Sequence, residues 1–135
     1  MNMNSGNSSV WSGRAGWALS GLTAVGLVMS AAMKLQGNPM VLDQLVGKFG
    51  FQSGSIAGIG ILELTCALLY LIPRTSVLGA ILVTGYLGGA VASHVRVSDA
   101  FVPPLALGVF AWAGLYLRDE RIRRLIPLVR PLCVR

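Results

Sequence analysis

The sequence predicts an all-α fold: an integral membrane four-helix bundle with a short interfacial amphipathic helix between helices 1 and 2. Three observations predict it. The 135 residues are 54% hydrophobic and only 12% charged, where a soluble domain carries roughly 25% charged residues. The mean hydropathy is +0.69, and the apolar residues gather into four runs near the length of about 20 residues that a helix needs to cross a hydrocarbon core of about 30 Å. The charges are also unevenly placed, with six of the eleven Lys and Arg in the last eighteen residues. This composition excludes a disordered chain, a disulfide scaffold and a soluble enzyme of ordinary surface chemistry.

Residues 1–14 are rich in Asn, Ser and Gly and read as a disordered lead-in. The first apolar run, 15–33, has no charge and is bounded by Arg14 and Lys34. Ser30-Ala31-Ala32 within it has the small side chains of a signal-peptide cleavage site, but the run is longer than the usual apolar region of about 7–15 residues. Residues 37–50 are too polar to span and too apolar for a plain loop. Met40, Leu42, Leu45, Val46 and Phe49 at mixed helical spacings, beside Asp43, Gln44 and Lys48, suit a short amphipathic helix at the interface. The second run, about 53–72, is interrupted only by Glu63 and ends at Pro73-Arg74. The third spans about 76–94 and the fourth about 100–117, with Pro103-Pro104 in its first turn, where a missing N–H costs little.

The domain organisation is therefore a lead-in over 1–14, a four-helix transmembrane domain over 15–117 and a basic tail over 118–135. Four crossings put both termini on one side. Arg14, Arg74 and the tail's Arg118, Arg121, Arg123, Arg124, Arg130 and Arg135 share that side, against Lys34, Lys48 and Arg96 on the other. The positive-inside rule makes the termini cytoplasmic. The sequence pI of 10.2 is accordingly a mark of topology and anionic lipid, and no nucleic-acid partner is implied. Cys66 and Cys133 form no redox or metal pair.

Lipid gives no hydrophobic push between helices, so close contact must come from small residues. Gly54 and Gly58 form one GxxxG and Gly85 and Gly89 another. They are the expected helix-packing positions, within one chain or between the subunits of a homo-oligomer. The third helix, richest in small residues, is expected at the centre of the bundle.

An ionisable group inside hydrocarbon costs at least about 2.5–3.5 kcal/mol on insertion scales and is a site hypothesis by default. Glu63 lies about ten residues, roughly 15 Å, into its helix, near the midplane. Tyr86 should reach a similar depth from the other side and hydrogen-bond it. Lys34 and His94 end their helices near the opposite, non-cytoplasmic surface, and Ser30 and Thr23 fall below Lys34 on one helix face. Together they line a polar pocket floored by Glu63. Lys34 snorkelling to headgroups and His94 capping the bundle are the plainer alternatives. No catalytic residue is assigned, and one His with one Glu falls short of a metal site.

Met33-Lys34-Leu35 ending helix 1, Phe49-Gly50-Phe51, the run from Gly60 through Glu63 to Arg74, and GYLGGAVASHVR over 85–96 together resemble the DoxX-like family of small bacterial four-helix membrane proteins. The resemblance covers about 15–118. The wider group includes a subunit of a thiosulfate:quinone oxidoreductase and membrane components of oxidative-stress complexes. The resemblance implies that Lys34, Glu63 and His94 line the polar site. The reading that follows is a membrane subunit or anchor of the inner membrane, linked to quinone-dependent redox chemistry, with a quinone as its ligand and a redox or membrane protein as its partner. A carrier of small solutes or protons with Glu63 titrating, and a structural partner without chemistry of its own, are the alternatives.

Overall fold

A computed structural model of the protein describes residues 5–125, with side chains from residue 11 onward. Six α-helices follow one another: α1 (Ser5–Leu35), α2 (Pro39–Leu42), α3 (Ser55–Leu71), α4 (Ser76–Arg96), α5 (Val102–Arg118) and α6 (Glu120–Leu125). A π-helical turn, Asp43–Lys48, continues α2. Among the described residues there is no strand. Arg130, Arg135 and Cys133 lie outside the described residues.

The first helix begins at Ser5, within the stretch expected as a disordered lead-in. At 31 residues it is about 46 Å long at 1.5 Å per residue, more than a hydrocarbon core requires. Once an apolar span is helical, each further residue adds a hydrogen bond at little cost, so weak formers such as Ser and Gly follow. Arg14 also lies over the Trp11 ring one turn back, 5.7 Å from its centroid, which favours helix there. α1 and α4 contain stretches, Trp11–Leu35 and Ser76–Arg96, long and apolar enough to cross a membrane. α3 and α5 are shorter apolar helices of 17 residues each.

The four long helices close a ring in which α1 and α4 each pack against α3 and α5. No helix occupies a centre, and α1, rather than α4, makes the most extensive contacts. The two GxxxG pairs are likewise not what brings the helices together. A Cβ on Gly54, Gly58, Gly85 or Gly89 would meet nothing within 4 Å. Spacing reveals a small-residue stripe without saying which way it faces. The close approaches lie elsewhere. A Cβ on Gly114 would sit 2.6 Å from Ser20 Oγ, and one on Gly16 would sit 2.6 Å from the Arg118 nitrogen, so these two glycines let α1 and α5 touch. Gly79 lies against the Tyr70 backbone across the tight α3–α4 turn. Gly60 packs on α1, its absent Cβ 3.2 Å from Lys34 Cβ and 3.3 Å from the Ala31 carbonyl oxygen.

The interior holds Leu27, Cys66, Ala67, Tyr70, Ala80, Val83, Leu87, Ala111 and Leu115. The exterior is apolar too: Leu22, Val25 and Met29 on α1, Ile61, Leu62 and Leu68 on α3, Ile81 and Val95 on α4, and Leu105 and Val109 on α5 are all exposed. A water-soluble bundle places polar residues on that outer face.

The connection between α1 and α3 is helical, as its pattern predicts. Asn38 caps α2 by accepting from the Met40 N–H at 3.0 Å, and Pro39 opens it. Gly37 and Gly50, at φ +66° and +72°, frame the segment in left-handed backbone that a side chain disfavours. Two contacts fasten it to the α4–α5 end: Lys48 Nζ to Asp99 Oδ2 at 2.8 Å, and the Arg96 guanidinium to the Phe49 carbonyl oxygen. The Lys48 contact holds the Asp99 carboxyl below the usual carboxylate range.

Candidate functional site

Gly60 is the local reason the site exists. It lets α1 approach α3 at Ala31–Lys34, and Glu63, three residues further along α3, then faces the Lys34 side chain. Lys34 Nζ is 2.7 Å from Glu63 Oε2, with side-chain exposures of 8% and 2%. Lys34 therefore turns inward and does not snorkel. Its ammonium also donates to Ser30 Oγ at 2.5 Å. An ammonium has three protons, and these two bonds leave one for a further acceptor.

The pair borders a cavity of about 640 Å³ between the helices and the α1–α3 connection. Leu27, Ile59, Leu62, Leu87 and Leu107 supply apolar walls, Gly85 and Gly89 open its α4 side, and Val41, Leu45, Phe49 and Pro103 close the outer end. The exposed glycines of α4 thus leave room in the cavity. Its polar groups are Lys34, Glu63, Ser30, Tyr86, Gln44, Ser93 and His94.

Tyr86 lines the same cavity from α4 with its hydroxyl near the Glu63 carboxyl. His94 lines the same cavity but is not the partner of Glu63. Its Nδ1 meets the Ala90 carbonyl oxygen at 2.8 Å, and its ring packs edge-on against Phe49 with centroids 4.8 Å apart. Thr23 does not reach the cavity: it is fully buried and donates to the Leu19 carbonyl one turn back at 2.9 Å.

A second polar cluster, at the opposite end, has no counterpart in the sequence reading. The Tyr70 hydroxyl donates to the Ala111 carbonyl oxygen at 2.7 Å and lies 2.9 Å from Ser20 Oγ, joining α3, α5 and α1. The Arg118 guanidinium lies over the rings of Trp17 and Tyr70, 4.6 and 4.8 Å from their centroids, and donates to the Tyr70 carbonyl oxygen at 2.6 Å. The signal available was a Trp, a Tyr and an Arg each near the same end of its apolar run. By sequence alone Arg118 belongs with the basic tail.

Among the described residues no three of His, Cys, Asp and Glu come together. The arrangement is suited to hydrogen-bonding a largely apolar molecule: a spare ammonium proton beside a carboxylate at the inner end, an imidazole at the outer end and hydrocarbon between.

An all-helical bundle with an apolar exterior and a charged pair inside has the build of a membrane protein. The chain belongs to the DoxX-like family, whose model matches residues 18–114 and so takes in Lys34, Glu63, Tyr86 and His94. No curated protein and no solved structure matches it.

Proposed function

We propose that this DoxX-like protein is a four-helix, multi-pass protein of the bacterial cytoplasmic membrane, with both termini cytoplasmic. In this reading it holds a quinone-like molecule beside Lys34 and Glu63 and serves as a membrane subunit or anchor linked to quinone-dependent redox chemistry. The observation that carries it is the buried Lys34–Glu63 pair bordering an apolar-walled cavity. Charges this deep are expensive in hydrocarbon, and the pair leaves Lys34 a proton to donate to a carbonyl oxygen. Glu63 orients that ammonium, and the apolar walls exclude water, which strengthens the bond.

Supporting the membrane assignment, α3 and α5 at 17 residues are about 26 Å long, a modest mismatch that local bilayer thinning accommodates. Trp17 and Arg118 are stacked at the same end as Arg14 and Arg74, as aromatic and basic residues are at a cytoplasmic interface. Glu63 already has a cation partner, which argues against it as the lone titrating group of a carrier. The test is quinone binding by the full chain in lipid nanodiscs, with Glu63→Gln beside it. Saturable binding, weakened about tenfold or more by the substitution, is expected. No binding by wild type, together with membrane redox activities unchanged by Glu63→Gln in cells, would end this reading.

A further inference from the structure

The two ends of the cavity differ in what they ask of a ligand. At the inner end Lys34 has a donor to spare and Glu63 is an acceptor, so an oxygen there is served whether it is a carbonyl or a hydroxyl. The outer end is more selective. A carbonyl oxygen only accepts, so the His94 Nδ1 that meets the Ala90 oxygen at 2.8 Å carries the hydrogen. In the neutral ring Nε2 is then a bare lone pair. No hydrogen bond engages Nε2 among the described residues, and His94 lines the cavity. Phe49, packed on the ring at 4.8 Å, restricts its reorientation.

Tyr86 and His94 are eight residues apart on α4, about 12 Å of helix axis. That length is of the order spanned by a ring with oxygens at opposite ends and a hydrogen bond of about 2.8 Å at each. With a quinone so placed, the outer carbonyl oxygen would face the Nε2 lone pair, acceptor against acceptor. With the reduced, dihydroxy form, the outer hydroxyl donates to Nε2, and the inner hydroxyl accepts from Lys34 and donates to Glu63.

We infer that His94 is a specificity-determining residue that makes this cavity select the quinol over the quinone. The inference rests on the quinone-class reading above and adds the redox form and the residue that chooses it. The quinol gains a hydrogen bond where the quinone meets an opposed acceptor, so the preference should be about tenfold.

The experiment is anaerobic calorimetric titration of the full chain in nanodiscs with a short-chain benzoquinone, its quinol and the quinol's dimethyl ether, on wild type and His94→Phe. Wild type should bind the quinol about tenfold more tightly than the quinone. His94→Phe, which keeps a ring against Phe49, should bind both alike. The dimethyl ether, which has no hydroxyl to donate, should bind wild type no better than the quinone does, a comparison that needs no variant to fold. Equal binding of quinol and quinone by wild type, or a preference that survives His94→Phe, overturns the inference and leaves the quinone-class site standing. Absence of binding by either form overturns both.

Discussion

Removing either member of the Lys34–Glu63 pair should cost far more than a surface ion pair would. The side chains are 8% and 2% exposed with 2.7 Å between charged atoms, so the value of about 0.2–1 kcal/mol for solvent-exposed pairs does not apply. Breaking a buried pair costs about 3–5 kcal/mol, because the remaining charge is left uncompensated, whereas replacing both members by apolar groups is often close to neutral. Lys34→Met strands a carboxylate, and Glu63→Leu strands an ammonium that retains only Ser30. Each single variant should therefore lose about 3–5 kcal/mol, or roughly two to three and a half orders of magnitude in the folding equilibrium. The double variant should lose less than either single one, giving a coupling energy of at least about 3 kcal/mol. The assay is reversible unfolding by SDS in mixed micelles, followed by tryptophan fluorescence, for the four members of the cycle. Single losses under about 1 kcal/mol that simply add in the double variant would refute the buried pair.

The other predictions concern packing, the clamp and the outer connection. Gly79→Leu and Gly114→Leu should destabilise by about 1–3 kcal/mol or more through overpacking, while Gly58→Ala and Gly85→Ala, which face open space, should stay within about 0.5 kcal/mol of wild type; the same unfolding assay ranks them. Arg118→Lys should not substitute for arginine, since a compact ammonium lacks the planar face that stacks on Trp17 and Tyr70. A loss of about 1–2 kcal/mol is expected from the weakened ring contacts. The Asp99 carboxyl is held below its ordinary range, first by its hydrogen bond from Lys48. Its contribution is thus complete above the unfolded carboxylate pKa of about 3.9 and is lost as the pH falls through the lower folded value. Hydrogen exchange over residues 38–51 should be steady near neutral pH and rise, after correction for intrinsic rates, as Asp99 is protonated. Lys48→Met should raise it already at neutral pH.

Much of the site was legible because hydrocarbon leaves a charged residue few options. Glu63 in an apolar run had to find a partner, and Lys34, Tyr86 and His94 were the polar groups at comparable depth or at the outer end. Which of them it would take was not legible, since that depends on the rotational setting of α1 against α3. That setting follows from Gly60 seating Ala31–Lys34, and one glycine outside any repeat gives no pattern to read. The GxxxG pairs make no close helix contact, Gly85 and Gly89 bordering the cavity instead, and the glycines that do make contact, Gly16, Gly60, Gly79 and Gly114, form no such repeat. Thr23 was placed on the Lys34 face by helical angle, yet its hydroxyl is satisfied by its own backbone at Leu19, a choice open to any helical threonine. The clamp at Arg118 is not legible in the sequence, because an arginine ending a span is explained equally well by topology.

A small organic molecule in the space beside Glu63 is the central claim. Native mass spectrometry with lipid extraction, on wild type and Glu63→Gln purified in mild detergent, tests this most directly. A quinone-class molecule retained by wild type and lost from Glu63→Gln, with both proteins folded, is the expected result. An empty wild-type protein that carries a stoichiometric partner chain would contradict it, reducing Lys34–Glu63 to a packing contact within a structural subunit.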